Sequence, residues 1–513
     1  MGLSPRAEGV VRRRPEEGYR WRGWAAGLFF VAVFLWLSPH PLAQEPPPKP
    51  ASPLQEKLGG LLQDSCLTNA RVGVHVLSLD NEEVLYDRRG EELFVPASNI
   101  KLFVSAAALR FLEPDYVFKT DLHSDTSLSG GTLEGNLYLK GFGDPSLVSE
   151  ELFKLVISLR TLGLRKVRGD LVIDASYFSS PPSPPPSPTK TRAYLAPHGA
   201  ASLNFNAVAV YADPGASPGQ PPRVVLEPAS PYFELLNRAK TVRGGKRKTL
   251  RVRRESLSGS DRIIVEGNLP SGSPRELIWV SISNPAFYLG HTFVEFLQRG
   301  GISVEGKVRL GPVPPEAGLI FQHRSKPLAS IIWDMNKWSN NFIAQQILNV
   351  LGAETKGPPG TVERGVAVVG SYLKRLGVSG ENFEMADGSG LSRENRLSPG
   401  QLVKVLQDMY GDFRYRSEFV SSLSVMGVDG STRDRLEDTR GERRVRAKTG
   451  SLKGVDTLSG YAVTGEGEVL AFSILMNGSS CPHWKVKVIQ DRMALALVHL
   501  NRGFSPARTS PSR

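Results

Sequence analysis

The sequence predicts an α+β protein: an antiparallel sheet flanked by helices, assembled from both ends of the chain, with a large mostly-β region inserted between its halves. Three observations carry this. Strand-like alternation closes into a hairpin near each end, helical periodicity follows each hairpin, and from about residue 120 to 324 the pattern changes to short apolar runs broken by turn residues. At 513 residues the chain exceeds what one hydrophobic core serves, so several domains are expected. A hydrophobic content of 40% and a charged content of 22% exclude wholesale disorder.

The chain opens with arginines, continues as the apolar run "WAAGLFFVAVFLWL" (Trp24 to Leu37) and ends that run in "SPHPLAQ", the order of an export signal over residues 1–43. The apolar run is shorter than the roughly 20 residues that span a bilayer. Cleavage after Ala43 is therefore expected, with retention as an N-terminal membrane anchor as the alternative. Either way the rest of the protein is expected in the periplasm or on the outer face of the cytoplasmic membrane. Residues 44–54, rich in proline, read as an extended linker.

Residues 55–119 read as the first part of the sheet-and-helix domain. "ARVGVHVLSL" alternates, "DNEE" turns the chain, "VLYDRR" returns it, and "NIKLFVSAAALRFL" then runs at helical spacing. The inserted region follows over 120–324, with strand-like pieces such as "VRGDLVIDASYF" and "DRIIVEGNLP" and a smaller unit nested at about 214–278. Its stretch "SSPPSPPPSPTK" (179–190) is neither helix nor central strand. Helical periodicity returns with "PLASIIWDMNKWSNNFIAQQIL", and residues 325–503 close the domain with the hairpin "LSGYAVT", "GEGE", "VLAFSILMNG" and a last helix over "KVKVIQDRMALALVHL". Residues 504–513 read as a frayed tail. There is no internal repeat.

The formal charge is +12, and removing residues 1–43, with six arginines against three glutamates, leaves +9. The densest basic run is "RGGKRKTLRVRR" (243–254), which reads first as a solvated hairpin. An exported protein rarely meets nucleic acid, so no nucleic-acid partner is expected. The functional reading of the excess charge is an anionic envelope polymer or membrane surface. Cys66 and Cys481 are the only cysteines and have no metal-ligand or catalytic-thiol spacing. A disulfide tying the first helix to the last and a pair of unbridged thiols both remain open.

Chemistry is concentrated in three short stretches. "PASNIKLFVSAAAL" (96–109) places Ser98 and Lys101 three residues apart at a helix start, where both side chains share one face. Ser-x-x-Lys alone is weak: Ser187 and Lys190 repeat it inside the proline-rich stretch, and Ser98 could simply cap a helix. Two later motifs strengthen it. "WSNNF" supplies Ser339-x-Asn341 at the head of an amphipathic helix, whereas the decoy Ser202-Leu203-Asn204 runs into a strand. "RAKTGSL" supplies the one Lys448-Thr449-Gly450, and the order of the three matches penicillin-recognising serine enzymes.

On these residues the chain resembles the D-alanyl-D-alanine carboxypeptidases/endopeptidases of the class C low-molecular-mass penicillin-binding proteins. The likeness runs from about residue 55 to 503 and includes "GFGDPSL", "DGSGLSRENRLSP" and the long insertion between Lys101 and Ser339. It implies a penicillin-binding/β-lactamase-like transpeptidase domain, no cofactor and no metal. The implied partners are peptidoglycan stem peptides ending in D-Ala-D-Ala, with β-lactams as covalent inhibitors. The family's middle motif often has Asp where Asn340 stands, at a side chain not expected to touch substrate.

The resemblance implies these roles. Ser98 is the nucleophile, and Lys101 takes its proton. A lysine with an ordinary pKa of about 10.4 is neutral in only roughly one molecule in 2,500 at pH 7. Burial and a second cation, for which Lys448 is the candidate, would both depress it. Ser339 bridges the two lysines and delivers the proton to the leaving amine. Asn341 holds the substrate's backbone amide, while Lys448, Thr449 and Ser451 meet its terminal carboxylate. Gly450 leaves room for a ligand along the strand. The backbone N–H groups of Ser98 and Ser451 form the oxyanion hole. Asp174 with Tyr177 and Leu452 is expected to line a pocket for the amino group of a diaminopimelate-type stem, a surface-turn aspartate being the alternative. Asp387 and Ser389 are expected to shape a turn beside the cleft.

A serine β-lactamase shares the three motifs but needs an added carboxylate base for rapid deacylation. No Glu-x-x-Leu-Asn-like stretch lies between Ser339 and Lys448. A non-catalytic envelope protein binding peptidoglycan is the reading from another class, and it has no need for Ser98, Lys101, Ser339, Asn341 and Lys448 together.

Overall fold

The computed structural model describes residues 52–179, 191–379 and 382–504. The signal reading over 1–43, most of the linker, the Ser187/Lys190 pair and the tail from 505 onward lie outside them. The linker reading over 44–54 runs too far: Ser52 already caps a helix, Pro53–Leu61, through a reciprocal pair of bonds with Gln55.

Six antiparallel strands form the central sheet, in the spatial order Ser424–Val425, Val445–Leu452, Val455–Val463, Val469–Asn477, Arg71–Ser78 and Val84–Arg88. The N-terminal strand Arg71–Ser78 pairs along its length with Val469–Asn477, Arg71 facing Asn477 and Ser78 facing Leu470. Both faces of the sheet are covered, so its inner strands Val455–Val463 and Val469–Asn477 are buried almost throughout, polar Asp456, Thr457, Ser459 and Ser473 included. Val72, Val74, Val76, Phe472 and Ile474 pack under the helices Pro53–Leu61 and His483–Val498. Ala471, Leu475 and Tyr461 point the other way, into a cluster built by Lys101–Phe111, Leu328–Lys337, Asn341–Lys356, Val362–Arg375 and Pro399–Gly411. The helix Lys101–Phe111 is buried on every side from Lys101 to Leu109, the pattern of a helix at the centre of a core. Cys66 and Cys481 are joined as a disulfide with Cα atoms 5.4 Å apart, which settles the open pairing.

Between Phe111 and Leu328 the chain builds a separate mixed sheet, ordered Val308–Leu310, Leu171–Asp174, Leu137–Gly141, Lys119–Ser124 and Gly318–Arg324. Two helices, Ser149–Thr161 and Pro285–Arg299, share its core. A nested β unit has its own small core of Val208, Val210, Ile263, Val265 and Val280. Its outer strands Ala207–Asp213 and Glu276–Ser281 pair antiparallel, so the unit begins and ends a few residues outside 214–278.

Candidate active site

Ser98 lies in a 3₁₀ turn, Ala97–Ile100, that runs directly into the helix Lys101–Phe111. No side chain caps either start, so Ser98 does not spend its hydroxyl as a helix cap. The turn is strained and held from three sides. Ala97 sits at φ 46°, a left-handed backbone that a residue with a Cβ rarely adopts. The adjacent sheet fastens it: Thr457 Oγ1 donates to the Pro96 carbonyl at 3.0 Å, and Asn99 Nδ2 donates to Ser459 Oγ at 2.7 Å. Gly390 and Gly450 press against it, since a Cβ on Gly390 would strike the Ala97 carbonyl and one on Gly450 would lie 2.9 Å from the Ser98 nitrogen. Gly450 also lies against Thr457, whose Oγ1 an added Cβ would strike, so its missing side chain clears space for the Ser98 turn and its strand neighbour.

Lys101 Nζ, fully buried, donates to Ser98 Oγ at 2.9 Å, to Asn341 Oδ1 at 2.8 Å and to the Ser389 carbonyl. Burial lowers its amine to about 7 against a weaker opposing pull from the Asp387 carboxylate. Asp387 is itself engaged in the turn: it accepts from Ser389 Oγ at 3.0 Å, the Gly390 amide and the Ser392 amide, which presents the Ser389 carbonyl to Lys101. A hydroxyl bonded to an amine that is about half neutral at pH 7 is arranged for proton removal.

Ser339 occupies a tight left-handed position, φ 55°, between the helices Leu328–Lys337 and Asn341–Lys356. Its Oγ accepts from Lys448 Nζ at 2.7 Å. Asn340 caps the second helix by accepting from the Ile343 amide at 3.0 Å, a task Asp performs equally, which explains why either residue suits that position. The Asn341 amide is shared between Lys101 and the Tyr194 carbonyl, to which Nδ2 donates at 3.3 Å.

Lys448, Thr449, Gly450, Ser451 and Leu452 end the strand Val445–Leu452. Lys448 is fully buried, and its amine is lowered well below the usual range by burial first and by the Lys101 charge second. Burial thus lowers both amines, and the charge on one lysine adds to the depression of the other. Thr449 Oγ1 donates to Ser431 Oγ at 2.8 Å, and the Ser451 hydroxyl donates to Asp456 Oδ1 at 3.2 Å. His483 meets the same Asp456 carboxylate at 2.7 Å.

The structure forms two hydroxyl–amine pairs, Ser98 with Lys101 and Ser339 with Lys448, and bonds Asn341 to the Lys101 amine; Ser339 meets Lys448 rather than bridging both lysines. Asp174 and Tyr177 bond other partners. Asp174 is buried and accepts from the amides of Ser176 at 2.9 Å and Val313 at 3.0 Å, with Lys140 at 3.6 Å. Burial pushes its carboxyl up, but these partners outweigh that and hold it below the usual range. Tyr177 packs against Phe142 and Phe178 and donates to Glu354 at 2.5 Å. Leu452 stays half-buried at the strand end, facing Val455 across the hairpin. A different group of residues adjoins the site: Tyr194, Trp279, Trp338 and Phe342 line a cavity of about 330 Å³ beside Ser339 and Asn341. No motif links positions 194, 279 and 338, and the one signal available was the neighbourhood of Trp338 to Ser339.

Comparison with known proteins follows the same lines. Residues 54–499 match the model of the D-Ala-D-Ala carboxypeptidase 3 (S13) family. A D-alanyl-D-alanine carboxypeptidase of Actinomadura sp. (strain R39) is 36% identical over 461 residues, covering 86% of this chain and 84% of that protein. The D-alanyl-D-alanine carboxypeptidase DacB of Haemophilus influenzae is 29% identical over 415 residues, 80% of this chain and 86% of that one. The crystal structure of penicillin binding protein 4 (dacB) from Haemophilus influenzae superposes with a TM-score of 0.74 at 27% identity, covering 85% of this chain and 98% of that one.

Proposed function

The chain belongs to the D-Ala-D-Ala carboxypeptidase 3 (S13) family, and on that premise we propose that it is a penicillin-binding serine D-Ala-D-Ala carboxypeptidase that works through a Ser98 acyl-enzyme. The observation that carries this reading is the 2.9 Å bond from Lys101 Nζ to Ser98 Oγ, with an amine lowered to about 7.

The steps follow from the donors and acceptors. Neutral Lys101 takes the Ser98 proton as Oγ attacks the carbonyl of the penultimate D-Ala, and the N–H groups of Ser98 and Ser451 stabilise the oxyanion, each donor being worth a few kcal/mol. Ser339, bonded to Lys448, passes a proton to the departing D-Ala nitrogen. Asn341 orients the substrate amide. Lys448, Thr449 and Ser451 receive the terminal carboxylate, whose negative charge also favours the proton on Lys448 that burial and Lys101 disfavour. Lys448 replaces the proton that Ser339 gave up, and the proton Lys101 took from Ser98 passes on to restore Lys448, so that Lys101 is neutral again. It then takes a proton from the water that attacks the ester and returns it to Ser98 Oγ as the ester C–O bond breaks. Crosslinks present the same D-Ala carbonyl, so D,D-endopeptidase action belongs to the same proposal. The basic-then-apolar N-terminus and the Cys66–Cys481 bond support a location outside the cytoplasmic membrane, where disulfides persist.

Labelling with a fluorescent penicillin tests this. Wild type should give a stable band on a denaturing gel and Ser98→Ala none. Rapid loss of the band would favour a β-lactamase, and no band on folded wild type would leave only a peptidoglycan-binding protein.

A further inference from the structure

We propose that the nested β unit carries an extended binding groove for the glycan-bearing part of polymeric peptidoglycan, continuous with the catalytic cleft. The inference rests on the functional reading above and deepens it. A groove of about 1180 Å³ runs between the segment Thr191–Leu195 and the strands Arg251–Ser256 and Glu276–Ser281. It shares Ala193, Tyr194 and Trp279 with the cavity beside Ser339 and Asn341, so the two form one continuous surface.

The lining has two chemistries. Leu277 and Trp279 alternate onto one face of their strand and remain 46% and 50% exposed, and Tyr194 opposite is 51% exposed. None of these residues belongs to the nested unit's own core, where Val208, Val210, Ile263 and Val265 supply the packing. Beside them stand Arg192, Arg251 and Arg253, all exposed, against a single acidic lining residue, Glu266, which meets Arg253 at 3.3 Å. Among the described residues, Arg192 and Arg251 have no acidic partner. The basic run at 243–254 thus turns part of its charge toward the groove.

Aromatic faces stack on the C–H faces of pyranose rings, and guanidinium forks pair with carboxylates. A polymer of N-acetylated sugars bearing acid-terminated peptides offers both at intervals, whereas a short free peptide ends within the smaller cavity. An anionic bilayer would satisfy the arginines but offers no pyranose faces to Tyr194 and Trp279, and co-sedimentation with vesicles separates the two.

The test uses the full chain and compares wild type with Arg251→Glu/Arg253→Glu and with Leu277→Ser, all exposed positions outside the cleft. Two substrates are needed: a short peptide ending in D-Ala-D-Ala and soluble uncrosslinked glycan strands with pentapeptide stems. Both variants should lose about tenfold in kcat/KM on the strands, the equivalent of ~1.4 kcal/mol, with the short peptide unchanged. Unchanged turnover of strands, or equal losses on both substrates, would overturn the groove. Co-sedimentation of wild type but not the double variant with anionic-lipid vesicles, with strand kinetics intact, would overturn it in favour of a membrane surface. If wild type neither turns over the peptide nor labels with penicillin, the enzymatic reading fails by itself. Co-sedimentation with insoluble peptidoglycan then still tests the groove, expected for wild type and weakened in the double variant, and equal binding by the two would overturn it.

Discussion

Lys101 and Lys448 are both shut away from solvent, and each donates to a different serine: Lys101 Nζ to Ser98 Oγ at 2.9 Å and Lys448 Nζ to Ser339 Oγ at 2.7 Å. Two ammonium groups in one dry site repel strongly, and the Asp387 carboxylate is the anion that acts on Lys101. Both amines therefore hold their protons weakly.

The rate of penicillin acylation should follow from this. On the proposed mechanism Lys101 is the base only when neutral, and with its amine lowered to about 7 the second-order acylation rate should rise with pH through about 7 and level above it. Lys101→Met should lose acylation by at least roughly 10²-fold, the lower range for a general base. A pH-independent rate in wild type between 5 and 9 would remove Lys101 as the titrating base.

Stability should depend on pH through the same residue. The unfolded amine titrates near its ordinary 10.5 and the folded one near 7. Between these values the unfolded chain holds a proton that the native state lacks, so native stability rises with pH across this window, by about 1.4 kcal/mol per pH unit per proton. Below about 7 both states are protonated and the contribution is flat. Thermal midpoints of wild type and Lys101→Met should therefore diverge in favour of wild type as pH rises from 7 to 10. Parallel curves would show that Lys101 is not desolvated in solution.

Gly450→Ala separates the two jobs considered for that glycine. The added methyl group would strike Thr457 Oγ1, which fastens the Pro96 carbonyl, and lie 2.9 Å from the Ser98 nitrogen and 3.0 Å from Ala97 Cβ, so Thr457 or the Ser98 turn must shift. Overpacking of this kind costs about 1–3 kcal/mol, and acylation should fall further than the change in thermal midpoint suggests. Gly60→Ala is the control: nothing lies within 4 Å of its added carbon in the helix Pro53–Leu61, and it should be neutral or slightly stabilising. Normal acylation by Gly450→Ala would mean that the strand, not the turn, gives way.

What was legible in the sequence is what one local element dictates. Ser98 and Lys101 share a turn and a helix, Ser339 and Asn341 share a helix start, and Lys448 to Ser451 share a strand end, so short spacings carried their geometry. Asp174 depended on where the insertion lies, and its second oxygen is claimed by the Val313 amide from a distant segment. Tyr177 is likewise claimed by Glu354 across the fold. The helix Ser149–Thr161 was obscured by the strand-rich texture around it, although its buried Leu152, Leu155, Val156 and Leu159 recur at helical spacing. Trp279 joins Tyr194 only through the fold of the nested unit, which no local pattern encodes.

The disulfide tests how far the two faces of the sheet are independent. Cys66 packs in the cluster beneath Pro53–Leu61 and His483–Val498, whereas Ser98 stands at the head of the helix that fills the opposite cluster. Closing a loop between residues 415 apart restricts the unfolded chain, and losing a native bridge typically costs about 2–5 kcal/mol. Cys66→Ser/Cys481→Ser should therefore lower the thermal midpoint, as should reductant on wild type, while penicillin labelling at 25 °C stays close to normal. One connection could break that independence. His483, two residues beyond Cys481, bonds the Asp456 carboxylate that also accepts from the Ser451 hydroxyl. Loss of labelling in a folded double variant would show that the bridge anchors the strand end through this relay, and Asp456→Asn should then reproduce the loss with the disulfide intact.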